Sequence, residues 1–473
     1  MRAEIRMSET MVDQASELNA RQRWTVMVVC ALALFLVGLD TTIVTIGLPQ
    51  IAAGVSADPG RMAWVVDAYT VVFASLLITA GALADRFGRR RVFRTGLMVF
   101  GLASLACAVA PSLSFLIVAR LAQGAGASML SPVALAIVVN VMRDPAERAR
   151  AIGVWGAVFG LSMAAGPVTG GALIAAFDWR SVFWINLPVV GVSLLLVAAV
   201  VPESRGSRWR RLDIPGQLLL VLFLGGLVAL LIEGPHLGWL SPVVIVGYVL
   251  VLVVAIVFVL VESRSREPLI APSLFRVVSF TGAVLGAVAI FVAFSLTLLV
   301  TTVLLQEGSG RSALAAGALT LPMAVAATVF APISGNLVAR VGPRLPLLGA
   351  GVAVVAAGVC LLIALSVWVT GLNVPLLVVG YVLLGVGVGL ANAPITNTAV
   401  SGLPPDRAGV AGGTASTARQ LGTALGVALG GSLVAQSASE DLATSTLAGW
   451  LVVMLCGGIL ILVSRTAVDA RLG

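Results

Sequence analysis

The chain has 473 residues, of which 59% are hydrophobic and only 11% are charged. Soluble domains carry about a quarter charged residues, so water is not the main solvent of this chain. The net charge of +8 comes from arginines alone, with no lysine. Membrane topology explains these arginines better than a nucleic-acid partner does, so we expect no nucleic acid to bind.

Apolar runs long enough to cross about 30 Å of hydrocarbon recur along the whole chain. They predict fourteen membrane-spanning helices, at residues 24–48, 62–84, 92–110, 113–142, 150–174, 182–201, 213–232, 241–261, 278–305, 312–334, 345–368, 375–400, 408–435 and 446–464. The predicted domains are an N-terminal tail (1–23), a six-helix bundle (24–201), a linker with two inserted membrane helices (202–276), a second six-helix bundle (277–465) and a C-terminal tail (466–473).

The arginines predict which side of the membrane each loop faces. Alternate loops carry arginine clusters, whereas the opposite loops contain only Arg61, Arg180 and Arg311. Short loops rich in arginine stay in the cytoplasm, so we expect both tails to be cytoplasmic. The acidic start of the chain does not fit a signal peptide, and either Met1 or Met7 can be the true start.

Two segments recur with nearly the same offset along the chain. Residues 81–89 return in weaker form at 335–344, and Arg148 to Gly153 resembles Arg407 to Gly412. Two parallel six-helix halves around a shared midplane site would give this spacing, as in one large class of secondary transporters. Chance recurrence of glycine and arginine at loops is the alternative.

Cysteine and histidine usage argues against a metal site, a cofactor or an enzyme. The four cysteines lie far apart inside apolar runs, and the chain has a single histidine. No acid, base or metal constellation of the kind an enzyme needs is visible. We therefore expect no cofactor.

Ionisable side chains inside predicted membrane helices are costly to bury, and they mark functional sites by default. Asp40 and Arg120 lie at matching depths, ~13 and ~12 Å from the outer helix ends, and Asp67 lies ~9 Å deep. A static ion pair is the alternative interpretation for Asp40 and Arg120. For Asp67 the alternative is an acid near the outer surface.

Further polar residues inside the predicted helices indicate a cavity. Gln123 follows Arg120 on one face of the fourth helix, which predicts a polar cavity wall. In the second half, polar lining is predicted from Asn392, Thr396, Arg419 and Gln420.

Several motifs in order resemble the fourteen-span drug:proton antiporters of the major facilitator superfamily. Residues 81–91 are similar to the family's loop motif, 116–128 to its fourth-helix motif and 160–171 to its fifth-helix exporter motif. Residues 39–49 resemble the acidic first-helix motif but depart from it at 45–47. Residues 64–69 and 233–239 resemble the branch that exports quaternary ammonium compounds and antibiotics such as methylenomycin.

The resemblance implies two devices. One is a cytoplasmic gate, with Asp85 facing the start of the thirteenth helix near Ala408, formed by Gly81, Asp85, Arg86, Gly88 and Arg89. The alternative is that Arg86 and Arg89 only set the membrane topology, which they do whether or not the gate forms. The other device is a hinge or tight seal used in export, formed by Gly160, Gly166, Pro167, Gly170 and Gly171; plain helix packing is its alternative.

The predicted function is proton-coupled export of hydrophobic, often cationic drugs or antibiotics across a bacterial cytoplasmic membrane. Asp40 with Arg120 would carry the proton, and Asp67 would attract cationic substrate. A proton-coupled importer of a small metabolite is the alternative on the same fold. We expect a monomer in the lipid bilayer of a bacterium with a genome rich in G and C; substrate identity and proton stoichiometry stay open.

Overall fold

The computed structural model of the protein describes residues 18–57, 61–142, 144–205, 213–265, 267–366, 373–400, 408–436 and 447–467. Residues 1–17 of the predicted N-terminal tail and 468–473 of the predicted C-terminal tail lie outside these ranges. Arg407, where the second copy of one predicted repeat begins, also lies outside them.

The described chain is almost entirely helical. Its long helices, numbered in chain order, are α1 (Ala20–Val55), α2 (Ala63–Phe87), α3 (Arg89–Ala108), α4 (Leu113–Val141), α5 (Pro145–Ala176), α6 (Ser181–Val200), α7 (Ile214–Leu237), α8 (Pro242–Arg264), α9 (Val278–Gly308), α10 (Ala313–Val341), α11 (Arg344–Ser366), α12 (Val374–Val400), α13 (Ala408–Gln436) and α14 (Leu447–Ser464). A short 3-10 helix, Pro272–Arg276, leads into α9.

Within the described residues, 12 helices are long and apolar enough to cross a membrane: all of the above except α5 and α13. These two helices have 32 and 29 residues, so their length is sufficient, but they are rich in glycine. The all-α membrane fold is therefore confirmed. We call the helix ends that carry the predicted cytoplasmic arginine clusters the inner ends, and the opposite ends the outer ends.

Most helix ends agree with the prediction to within a few residues, and the exceptions have local causes. Helix α1 continues through Pro49 to Val55, although the predicted helix ended at 48. Helix α4 is interrupted between Ser128 and Ser131. Helix α9 ends in a π-helical turn, Leu304–Gly308. Broken helices and π-helical turns are frequent at functional sites.

Three segments expected to be loops are helical, which corrects the prediction. The loop expected at 81–91 shrinks to Gly88, whose φ of 108° is favourable only for glycine. His236 belongs to α7 and Glu307 to the π-helical turn of α9, so neither lies in an outer loop.

Two halves form the body of the molecule. Helices α1–α6 pack as the N-terminal half and α9–α14 as the C-terminal half, each around a large apolar core. The halves meet at two main seams, where α5 packs on α10 and where α2 packs on α13. Two seams between two helical halves form the framework of an alternating-access transporter.

Helices α7 and α8 form an inserted hairpin outside the two halves. Helix α7 lies against both α2 and α13, so it covers the α2–α13 seam. Its buried stripe repeats every four residues, as expected for one helix face, and consists of Leu220, Leu224, Val228 and Ile232. Helix α8 packs mainly on α7, and its long apolar surface is almost fully exposed for contact with lipid.

Polar contacts attach α7 to α2 at both ends. Near the inner end, Gln217 donates to the Ser75 carbonyl oxygen over 3.0 Å and accepts from the Thr79 hydroxyl. Near the outer end, Glu233 accepts a 2.9 Å hydrogen bond from the Trp64 indole and a bond from Arg61. The hydrogen bonds of Gln217 and Glu233 therefore all reach the N-terminal half.

Candidate functional site

A buried ion pair occupies the N-terminal half. Arg120 Nη1 lies 2.5 Å from Asp40 Oδ2, and both side chains are fully buried. Arg120 also donates to the Val65 carbonyl oxygen of α2 over 2.8 Å. The guanidinium carbon lies 4.3 Å from the centroid of the Tyr69 ring, so an aromatic face also contacts the cation.

Amide side chains surround the same carboxylate. Gln123 donates to Asp40 Oδ1 over 2.9 Å, and Asn186 of α6 donates to the same oxygen over 3.0 Å. Ser104 of α3 accepts from both amides. We call Asp40, Arg120, Gln123, Asn186 and Ser104 the Asp40 cluster. Its members come from α1, α3, α4 and α6, so it ties four helices of one half together.

The Asp40 cluster can hold a carboxylate ionised inside the membrane. The arginine and two amide donors compensate the negative charge, which would otherwise be costly to bury. Among the described residues, Asp40 Oδ2 accepts a hydrogen bond from the arginine alone, and Arg120 Nη2 has no partner. Protonating Asp40 would weaken the ion pair and free the guanidinium to form other contacts.

The sequence predicted the partners of this pair but misjudged their surroundings. Because α1 continues to Val55, Asp40 lies ~22 Å from its outer end, so the predicted depth was wrong. Gln123, predicted as cavity wall, is fully buried in the Asp40 cluster. Asn186 and Ser104 were missed, although polar residues inside apolar helices are a signal that a search by charge alone overlooks.

Asp67 is enclosed without a partner. Its side chain is fully buried, and neither carboxylate oxygen has a hydrogen bond within the described structure. An ionised carboxylate in this position would be uncompensated and therefore strongly unfavourable. Asp67 borders neither of the two cavities described below.

A second polar cluster lies in the C-terminal half. Arg419 of α13 donates over 3.2 Å to Asn392 Oδ1 and to Thr396 Oγ1 of α12, and over 3.0 Å to Ser416. We call these four residues the Arg419 cluster. The structure thus brings together three residues that the sequence predicted as polar lining. Gln420, the fourth, is partly buried, and its Oε1 has no partner among the described residues.

A cavity lies between α5, α9, α10 and α12, and we call it the central cavity. Its walls are mostly apolar, with Thr320 and Asn392 as polar members and no charged side chain. Asn392 therefore belongs to both the cavity wall and the Arg419 cluster.

The predicted exporter motif packs α5 on two helices at once. A Cβ on Gly166 would lie 1.9 Å from Thr42 Oγ1 of α1, and Gly170 faces Ile46 of the same helix. On another face, a Cβ on Gly171 would lie 2.6 Å from the Ala313 carbonyl oxygen of α10.

The same motif also meets the C-terminal half closer to the middle of α5. Gly160 contacts Thr328 of α10, and Gly317 of α10 packs against the Pro167 backbone, where a Cβ would lie only 2.2 Å from the carbonyl oxygen. Helix α5 is therefore fixed to its own half by one face and meets the other half by a second face.

The arginines at the inner end connect helices of the N-terminal half. Asp85 accepts a 2.9 Å hydrogen bond from Arg89, which also donates to the Ala136 carbonyl oxygen of α4. Glu203, which the sequence reading missed, accepts from the backbone of Arg90. Of the other predicted gate residues, Gly81 faces open space, Arg86 stacks on Phe87, and Gly88 packs against Glu203. The side chains of Ala408 and Gly409, the predicted partners of Asp85, lie outside the described residues, so the gate stays a prediction.

The outer ends of the two halves are in contact. Gln50 of α1 donates to Gln306 of α9 over 2.6 Å, and Gln306 donates to the Ile46 carbonyl oxygen over 2.9 Å. These hydrogen bonds connect the two halves near their outer ends. The sequence reading did not identify Gln50 or Gln306.

A second cavity, the outer cleft, lies beside these contacts. Residues of both halves line it, including Leu48 of α1, Val303 of α9 and Glu307, which is its only charged member. In the described part of the chain, no group of three or more metal-ligating side chains occurs.

The sequence and the fold both match known transporters. The family model of the Major Facilitator Superfamily matches residues 30–427. The multidrug resistance protein Stp of Mycobacterium tuberculosis is 37% identical over 428 residues, which cover 90% of this chain and 78% of that protein. The puromycin resistance protein pur8 of Streptomyces alboniger is 37% identical over 415 residues (86% and 81%). The methylenomycin A resistance protein of Streptomyces coelicolor is 33% identical over 412 residues (85% and 84%).

Solved structures support the fold. A bacterial homologue of the human lysosomal transporter Spinster, in its inward-facing and unoccupied conformation, superposes with a TM-score of 0.65 at 15% identity, over 96% of this chain and 99% of that one. A POT family transporter superposes with a TM-score of 0.62 at 16% identity, over 94% and 95%. The chain belongs to the Major Facilitator Superfamily and is a secondary transporter rather than an enzyme.

Proposed function

We propose that this transporter exports small apolar drugs or antibiotics from the bacterial cytoplasm in exchange for protons. All fourteen helices would cross the cytoplasmic membrane, with both termini inside and the inserted hairpin spanning it twice. The buried Asp40–Arg120 pair carries this proposal, because an exchanger needs a group that can take up and release a proton within the membrane.

The proton step rests on the Asp40 cluster. Arg120 and two amides donate hydrogen bonds to Asp40, which compensate a negative charge on its carboxylate. When Asp40 receives a proton, Arg120 loses its counter-ion and becomes free to pair elsewhere. The cluster joins four helices of one half, so this change would bias how that half packs against the other.

One observation favours export over import. Relatives that are 33–37% identical are named for resistance to multiple drugs, puromycin or methylenomycin A. In the structure, the glycines of α5 pack that helix against both α1 and α10.

Asp67 was expected to attract cationic substrates, and that role stays a prediction. It requires the carboxylate to face a cavity, whereas in this structure the side chain is enclosed. The proposal therefore specifies an apolar substrate and does not depend on Asp67.

Transport by purified protein in liposomes tests the function. With an imposed pH gradient, wild-type protein should concentrate a fluorescent antibiotic or dye against its gradient. Asp40→Asn should abolish uphill transport but keep downhill exchange of labelled for unlabelled substrate, because only the proton-carrying group is lost. Asp178→Asn, at an exposed outer position, is the matched control and should behave as wild type. Uphill transport by the Asp40→Asn variant would contradict the proposed coupling.

A further inference from the structure

Arg419 is a cation near the middle of α13 that lacks a counter-ion. All three side chains that accept its hydrogen bonds are neutral: Asn392, Thr396 and Ser416. Within the described residues, no carboxylate oxygen lies within 4 Å of its guanidinium. A charge held inside a membrane protein by neutral groups alone is unfavourable, and such residues mark the paths of ions or substrates. Arg419 is such a residue, and it lies next to the central cavity.

The Arg419 cluster adjoins the central cavity. Asn392 lines this cavity and accepts a hydrogen bond from Arg419 through its side-chain oxygen. Thr396 follows one helical turn towards the inner end of α12 and is exposed. The guanidinium therefore lies beside the inner side of the central cavity. Apolar side chains, among them Phe294 and Met323, form most of the remaining wall.

Within the described residues, no acid lines this cavity. Asp40 is paired with Arg120 inside the N-terminal half, and Asp67 is enclosed elsewhere. Arg419 is hydrogen-bonded to Asn392 in the cavity wall, and its positive charge attracts anions and repels cations.

We infer that the central cavity binds apolar compounds that carry an anionic group, such as a carboxylate, enolate or phenolate, and that Arg419 is the counter-ion of this group. The apolar body of the ligand occupies the space between α5, α9, α10 and α12. Its anionic oxygens replace or join the neutral acceptors of the guanidinium, since a planar guanidinium pairs best with two oxygens of one anion. This inference rests on the proposed export function and specifies its substrate class.

The inferred charge also affects the energetics of exchange. Export of a monoanion for one proton moves two net positive charges inward, because both movements have the same electrical direction. A membrane potential that is negative inside therefore drives the exchange of an anion more strongly than that of a neutral molecule. Exchange of a monocation for one proton would be electrically neutral.

Binding of three matched probes to purified protein in nanodiscs tests the inference without requiring transport. The probes are pyrenebutyrate, its methyl ester and pyrenebutylamine, which share one apolar body and differ in charge. Wild-type protein should bind the carboxylate most tightly. Arg419→Gln should weaken carboxylate binding by about tenfold and change ester binding by less than about twofold, since only the charged contact is lost. Arg276→Gln, which removes an exposed arginine, is the control and should change neither affinity.

A second variant keeps the test decisive if Arg419→Gln does not fold. Asn392→Asp supplies a carboxylate beside the guanidinium, so the protein itself becomes the counter-ion and the preference for the carboxylate probe should disappear. The inference is overturned if wild type binds the amine most tightly, or if either variant weakens acid and ester equally. A wild-type protein that exports neutral compounds but shows no preference for the carboxylate probe would refute this inference alone. Absence of any uphill transport would refute the proposed function instead.

Discussion

Closure of the outer ends depends on Gly171, and its substitution by alanine should open them. A Cβ at this position would lie 2.6 Å from the Ala313 carbonyl oxygen and 2.7 Å from the Leu314 Cα. Both atoms belong to the backbone of α10, in the opposite half, so no side chain can rotate away. Overpacking of this kind costs about 1–3 kcal/mol. The cost applies only to conformations in which the outer ends of α5 and α10 touch.

A cost of about 2 kcal/mol would lower the ratio of outer-closed to outer-open molecules roughly thirtyfold, since about 1.4 kcal/mol corresponds to a factor of ten. Spin labels at Phe177 and Ser309, both exposed at the outer ends of opposite halves, report this change as a longer distance. The labels are introduced into a variant without the native cysteines and measured by pulsed electron resonance in nanodiscs. Export should fall as well, because fewer molecules accept substrate from inside.

Two matched glycine variants separate this effect from general damage. Gly191→Ala adds a methyl group where no atom lies within 4 Å, and it should change nothing. Gly166→Ala clashes with Thr42 inside the N-terminal half, so it should lower thermal stability without changing the distance between the labels. A folded Gly171→Ala protein with the wild-type distance distribution would refute the assignment of Gly171 to outer closure.

Three further predictions concern the inner end and the inserted hairpin. Asp85→Asn should leave membrane abundance normal and reduce efflux, as measured by dye extrusion from cells; unchanged efflux would mean that the segment only sets topology. Cysteines at Leu240 and Arg264 should react with an impermeant thiol reagent from outside and inside respectively, whereas labelling of both from one face would refute the fourteen-span topology. Glu233→Ala should lower the melting temperature of purified protein more than Trp64→Phe does, because it removes two hydrogen bonds of about 1 kcal/mol each rather than one. Equal effects of these two variants would contradict the described attachment.

The fold was predictable to a large extent because a membrane restricts the choices of a chain. Backbone groups in hydrocarbon must be satisfied within helices, so apolar length alone located nearly every helix. Apolar length alone does not predict details within a helix. Helix α1 continues through Pro49, and no change in apolar character marks the π-helical turn at Leu304–Gly308. Proline is tolerated in such helices because neighbouring helices support the backbone.

Pairwise contacts were predictable only where charge identified both partners. Asp40 and Arg120 could be matched since each buried charge needs compensation. Asn186 and Gln306 carry no charge, so their roles depend on which helices are neighbours, and a single sequence does not contain that information. The missing counter-ion of Arg419 could not be foreseen either, because a lone sequence does not show which acids are out of reach.

The attachment of the inserted hairpin makes the two lipid-facing sides of the transporter unequal. Gln217 and Glu233 hold α7 to the N-terminal half, while its apolar stripe only rests on α13. An apolar interface permits sliding with little loss of binding energy, whereas hydrogen bonds fix position. The hairpin should therefore move together with the N-terminal half and shield the α2–α13 seam from lipid acyl chains. The opposite α5–α10 seam has no such cover, so bilayer composition should influence transport mainly through that side of the molecule.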